Sequence, residues 1–84
     1  MYQVKILQKT VKEIAAIPRD YASLVSKQID SLQKNPRPPN VRKLSGTESY
    51  RLRVGTYRIL YDISDESRTV TVYRVKHRRE VYRH

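Results

Sequence analysis

Hydrophobic and polar positions alternate most cleanly over residues 50–61, the stretch YRLRVGTYRILY. Tyr50, Leu52 and Val54 interleave with Arg51 and Arg53, so a strand here has one apolar face and one doubly cationic face. Gly55 permits a tight turn, and a second strand runs on through Ile59, Leu60, Tyr61 and Ile63. After a turn at residues 65–67, the β-branched and aromatic residues 69–76 predict a third strand. Near the start, Tyr2, Val4 and Ile6 alternate with Gln3 and Lys5, which predicts a half-buried strand over residues 2–7.

The period then changes. Over residues 8–17, Val11, Ile14 and Ala15 fall on one helical face and Lys9, Lys12 and Glu13 on the other, and Pro18 ends the helix. Asp20 is a candidate N-cap for a second helix. Tyr21, Leu24, Val25, Gln28, Ile29 and Leu32 keep the i, i+3, i+4 spacing of an amphipathic stripe. Neither helix can bury its stripe alone, so the two form an αα-hairpin lying on the sheet. Residues 35–40, NPRPPN, break the pattern and return the chain to the sheet. Residues 41–46, VRKLSG, read as an extended stretch or turn anchored by Leu44, with a bend at Gly46. The order β-α-α-β-β-β predicts one α+β domain over residues 1–84. Its sheet is a four-stranded twisted antiparallel meander-type sheet with the αα-hairpin on one face.

Composition sharpens this picture. The chain has 84 residues and no cysteine, so neither a disulfide nor a thiolate metal site supports the fold. Phe and Trp are absent, and seven tyrosines supply every aromatic ring. Buried rings therefore bring hydroxyls that need partners. Tyr57, Tyr61 and Tyr73 fall at strand positions and are expected in the core. The helical stripe residues Val11, Ile14, Leu24, Ile29 and Leu32 are expected to face the core or a protein partner. Eighteen Lys and Arg against eight Asp and Glu give a net charge of +10. Arginine dominates the second half, and its planar fork suits phosphate. Such a field attracts RNA, DNA or an acidic protein. No apolar run is long enough to span a membrane, and the first residues lack the apolar segment of a signal peptide, so cytoplasmic residence is expected.

The segments KLSG, YRLRVGTYRILY and VYRVKHRREVYR together resemble the RelE/ParE superfamily of toxins, and more narrowly the RelE-type ribosome-dependent mRNA interferases. The resemblance spans nearly the whole chain. It implies a type II toxin that cleaves mRNA in the ribosomal 30S A site with no cofactor and is neutralised by a cognate antitoxin. Operator DNA would be bound only through the antitoxin complex. It implies that Arg51 and Arg53 hold the RNA backbone and that Arg58 stabilises the scissile phosphate. A basic residue before the terminal motif assists the leaving group, a place for which Lys76, His77 and Arg78 compete. Tyr82 would stack on the codon and could activate the 2′-hydroxyl. Arg79 and Arg83 add to the RNA-binding charge.

Each residue also has a plainer reading. Arg58 could be a surface cation beside Asp62, and Arg51 and Arg53 a solvated strand face. His77 could be structural, although an imidazole titrates near neutrality and could act as acid or base. Arg78 stays protonated and suits electrostatic stabilisation better than proton donation. Tyr82 could cover an apolar sheet edge with Val81; stacking on a base would contribute about 1–3 kcal/mol. Asp62, Asp65 and Glu66 have only loosely metal-like spacing, and no metal is expected. Two other functions fit the same fold: a non-nucleolytic gyrase inhibitor of the ParE kind, and an inactive basic binding module.

Overall fold

The computed structural model describes residues 1–77. The elements in chain order are β1 (Gln3–Ile6), α1 (Gln8–Ala15), α2 (Arg19–Ser31), β2 (Val41–Lys43), β3 (Ser49–Val54), β4 (Tyr57–Ser64) and β5 (Thr69–His77). The β-α-α-β-β-β order and the α+β class hold, with one strand more than the pattern predicts. Residues 41–43 form a short edge strand, and the sheet has five strands in the order β1-β5-β4-β3-β2. It is also mixed rather than antiparallel throughout, because β1 pairs with β5 in parallel, with Gln3 opposite Thr69 and Ile6 opposite Val72. A parallel neighbour needs a long crossover, and the crossover from β1 starts with the helical hairpin.

The β3–β4 hairpin closes with Val54 opposite Tyr57, so Gly55 and Thr56 form its turn. Gly55 takes φ +59°, a left-handed conformation that suits glycine. Alternation sends Tyr50, Leu52 and Val54 to one face, where they meet Ile59, Tyr61 and Ile63 of β4 and Val70, Val72 and Val75 of β5. Val25 and Ile29 of α2, with Leu32 at its C-cap, seal this core from above. Between Leu60 and Tyr61 the β4–β5 register shifts: Leu60 opposes Arg74, Tyr61 opposes Val72, and Tyr73 is the extra residue. That bulge keeps Val72 and Val75 both in the core although they are three apart. It also leaves Tyr73 partly exposed rather than buried.

The helices differ from the sequence reading in detail. Pro18, not Asp20, caps α2, and Asp20 lies in its first turn. In α1 the fully buried position is Thr10, while Val11 remains 51 % exposed. Leu24 in α2 is 50 % exposed. The apolar stripes are thus wider than the area the small sheet can cover.

The Pro-rich return is pinned by a polar cluster. The Tyr61 hydroxyl donates to the Pro36 carbonyl at 2.7 Å, and burial, with the neighbouring Tyr50, pushes that hydroxyl's pKa up. Arg37 forks onto both oxygens of Asp65 at 3.1 and 2.8 Å, donates to the Tyr50 hydroxyl at 3.0 Å and stacks over its ring. Tyr2 donates to the same carboxylate at 2.5 Å. These bonds join the residue just before β1, the Pro-rich loop, β3 and the β4–β5 turn at one point.

Candidate functional site

Directly opposed residues in a sheet share a face, so the strand register assigns the cations. Opposite the core, Arg53 in β3, Arg58 in β4 and Lys76 in β5 are consecutive cross-strand partners. Two residues along, Arg42 in β2, Arg51 in β3, Leu60 in β4 and Arg74 in β5 form a second row. Neighbours within a row stand about 4.8 Å apart at the backbone, and the rows about 6–7 Å apart. The outer face near the β3–β4 turn is therefore a two-row field of cations.

Arg58 stands in the middle strand of the field and is only 2 % exposed. Its Nη1 donates to its neighbour's carbonyl, that of Tyr57, at 3.3 Å. A guanidinium stays charged when buried, and its planar fork fixes the direction of its donors. The plainer reading, a cation paired with Asp62, does not match the contacts: Asp62 accepts the Ser49 hydroxyl at 2.5 Å. Asp62 lies four residues from Arg58 along β4, about 13 Å at strand rise.

Lys76 and His77 part company. Lys76 opposes Arg58 on the cationic face, whereas His77 opposes Tyr57 on the other. The imidazole meets the Tyr57 ring edge-on at 5.3 Å, and Tyr57 meets Tyr21 of α2 at 5.5 Å. Arg78, Arg79, Tyr82 and Arg83 lie outside the described residues.

Glu13 was not singled out by the sequence pattern, in which it reads as a solvated helix residue. Its carboxylate accepts the Val75 backbone N–H at 2.9 Å and pairs with Lys76 at 3.1 Å and Arg74 at 3.5 Å. Burial works to raise its pKa, but the Val75 N–H, Lys76 and Arg74 together outweigh that and hold it below the usual carboxylate range. Arg42 was missed as well, because three residues of β2 carry too little alternation to fix a face. Among the described residues no cluster of three or more His, Asp or Glu side chains is arranged to hold a metal ion. No helix among them is long and apolar enough to cross a membrane.

A small α+β domain with this cationic sheet face is the build of a type II toxin, and comparison with known proteins places it among them. Residues 4–82 match the family described as the ParE toxin of the type II toxin-antitoxin system, parDE, and the chain belongs to that family, within the RelE/ParE superfamily. Toxin RelG of Mycobacterium tuberculosis is 44 % identical over 69 residues, covering 79 % of this chain and 77 % of its own. The archaeal RelE–RelB complex from Pyrococcus horikoshii OT3 contains a chain with TM-score 0.84 and 30 % identity, covering 92 % of this chain and 94 % of that one. The toxin–antitoxin complex RelBE2 of M. tuberculosis gives TM-score 0.78 and 28 % identity over 92 % of this chain and 98 % of that one. The chain is thus a toxin of a type II system.

Proposed function

We propose that this toxin is an endoribonuclease that cuts mRNA in the ribosomal A site. The observation that carries this reading is the cross-sheet row Arg53–Arg58–Lys76 on the sheet face opposite the core. Like charges in adjacent strands repel, so packing alone does not select them; Glu13 meets Lys76 at the β5 end, and a polyanion lying across the row would add to that compensation.

The reaction needs no metal, because its nucleophile is built into the substrate. The ribose 2′-oxygen bonds to the adjacent phosphorus, the bond from phosphorus to the 5′-oxygen breaks, and a 2′,3′-cyclic phosphate remains. The 2′-hydroxyl proton passes to a base, and a proton is delivered to the departing 5′-oxygen. Arg58 meets the extra negative charge on the phosphorane, where one fixed donor contributes about 10²–10³-fold in rate. Lys76 shares Arg58's face and is the described residue best placed to assist the leaving oxygen. His77 would have to act around the strand end, and Arg78 adds positive charge. Tyr82 stacks on a codon base and is the candidate base. Arg51, Arg53, Arg79 and Arg83 hold the RNA backbone. The ribosome supplies substrate positioning, so free RNA is cut poorly.

A cognate antitoxin follows from the relatives, several of whose solved structures are complexes with RelB. It would cover the cationic face and the half-exposed Val11 and Leu24, and would connect the toxin to operator DNA. Action on ribosomes implies residence in the cytoplasm. The match to the ParE family model keeps a second reading in view, in which the chain binds and inhibits gyrase without cutting RNA.

Translation in a purified system with primer extension of the mRNA tests both. Cuts located at A-site codons, lost in an Arg58→Ala variant whose circular dichroism matches wild type, support the nuclease. Intact mRNA with arrested supercoiling by gyrase would overturn it in favour of the second reading.

A further inference from the structure

We infer that the groove on the β2 side of the cationic face is a second phosphate subsite, which grips an RNA phosphate next to the one that Arg58 meets. This rests on the nuclease reading, which already gives Arg51 and Arg53 to the RNA backbone, and extends it to Arg42, which that reading does not use. Arg42 and Arg51 are cross-strand partners, and Arg53 follows Arg51 on the same face. Together with Asn40 and Gly55 these three arginines line a groove of about 470 Å³. That is far larger than one phosphate and falls in the size range of small-ligand sites, so a phosphate with its sugar fits.

The two ends of the cation field differ in how their charge is met. On the β5 side, Glu13 pairs with both Arg74 and Lys76. On the β2 side, no carboxylate among the described residues pairs with Arg42, Arg51 or Arg53. The uncompensated charge is therefore concentrated around the groove. Guanidinium forks match phosphate oxygens two at a time. A polyanion seated on Arg53 and Arg58 continues into this groove without leaving the sheet face. The groove thus selects for a substrate with a phosphate on that side of the cut, which a dinucleoside monophosphate lacks.

The test uses full-length protein and a labelled RNA hexanucleotide carrying 2′-O-methyl groups, which blocks cleavage. Binding is titrated from 50 to 200 mM salt for wild type, Arg42→Gln and the control Arg19→Gln, an exposed position at the start of α2. Arg42→Gln is expected to weaken binding about 10-fold and to flatten the salt slope by about one, while Arg19→Gln changes neither. A parallel titration against ribosomes without mRNA identifies the source of the phosphate. Loss on the hexanucleotide assigns it to the substrate strand and supports the subsite; loss on ribosomes alone assigns it to ribosomal RNA and overturns the placement beside the phosphate that Arg58 meets. If wild type binds and cuts RNA while Arg42→Gln matches it on both probes, the subsite is wrong and the nuclease reading stands. If wild type binds neither probe, the nuclease reading fails and the subsite with it.

Discussion

Glu13 and Val75 lie 62 positions apart, yet the Glu13 carboxylate accepts the Val75 N–H at 2.9 Å. Strand β1 ends opposite Val72, and past that point none of the described strands pairs with this edge of β5. A side chain of α1 does there what a sixth strand would otherwise do. Glu13→Ala removes the acceptor and two ion-pair contacts together. It is expected to lower stability by about 2–3 kcal/mol, whereas Glu13→Gln, which keeps an acceptor, loses about 1 kcal/mol. Urea denaturation of the three proteins checks the order, and equal losses for Ala and Gln would show that the N–H bond contributes nothing.

The Arg37–Asp65 pair predicts an acid limb. Arg37 first, and the Tyr2 hydroxyl second, hold the Asp65 carboxyl at about 2, below its ordinary 3.8. A lowered folded pKa stabilises the protein above the unfolded value, and that contribution is lost as pH falls from about 4 through about 2. Melting temperature measured across that range should fall more steeply for wild type than for Asp65→Asn. Parallel curves would contradict the assignment. Because the pair is exposed, added salt should shrink the difference.

Thr10 is fully buried, and its hydroxyl has no partner among the described residues. A buried hydroxyl left unbonded costs about 1–3 kcal/mol. Thr10→Val keeps the shape and removes the polar atom, so it should raise stability by about 1 kcal/mol. A lower midpoint in the same denaturation assay would mean that the hydroxyl is satisfied in solution.

The two glycines separate strain from crowding. Both have positive φ, but an added Cβ at Gly46 meets nothing within 4 Å, while at Gly55 it would sit 3.4 Å from the Tyr21 ring. Gly46→Ala should cost about 1 kcal/mol through backbone strain. Gly55→Ala should cost about as much or somewhat more, and Tyr21→Ala should relieve only the excess. Double-mutant denaturation measures that coupling.

Much of the fold is legible in the alternation of residues 50–63. A period of two fixes which residues share a face, so the sequence alone groups Arg51, Arg53 and Arg58. The same rule separates Lys76 from His77, given the β4–β5 register. Pairing partners were not legible: nothing in QVKI states that its neighbour is β5, or that the two run in parallel. Strand β2 was hidden because Val41 is its only apolar residue. Tyr73 looked like core because a bulge is a slip between two strands, invisible in either one alone. Thr10 displaced Val11 inward because helix rotation is set by what lies beneath, not by the strongest stripe.

The parallel pairing of β1 with β5 has a consequence for how the toxin is made. Gln3 must wait for Thr69, 66 positions later, before its strand has a neighbour. At about 5–20 residues per second, that is a delay of roughly 3–13 s during synthesis. The row Arg53–Arg58–Lys76 also spans β3 to β5, so it exists only when the last of these strands has been added. A nascent chain therefore carries its arginines before they stand in that row. On the nuclease reading, the ribosome translating the toxin is protected from its product until β5 has emerged.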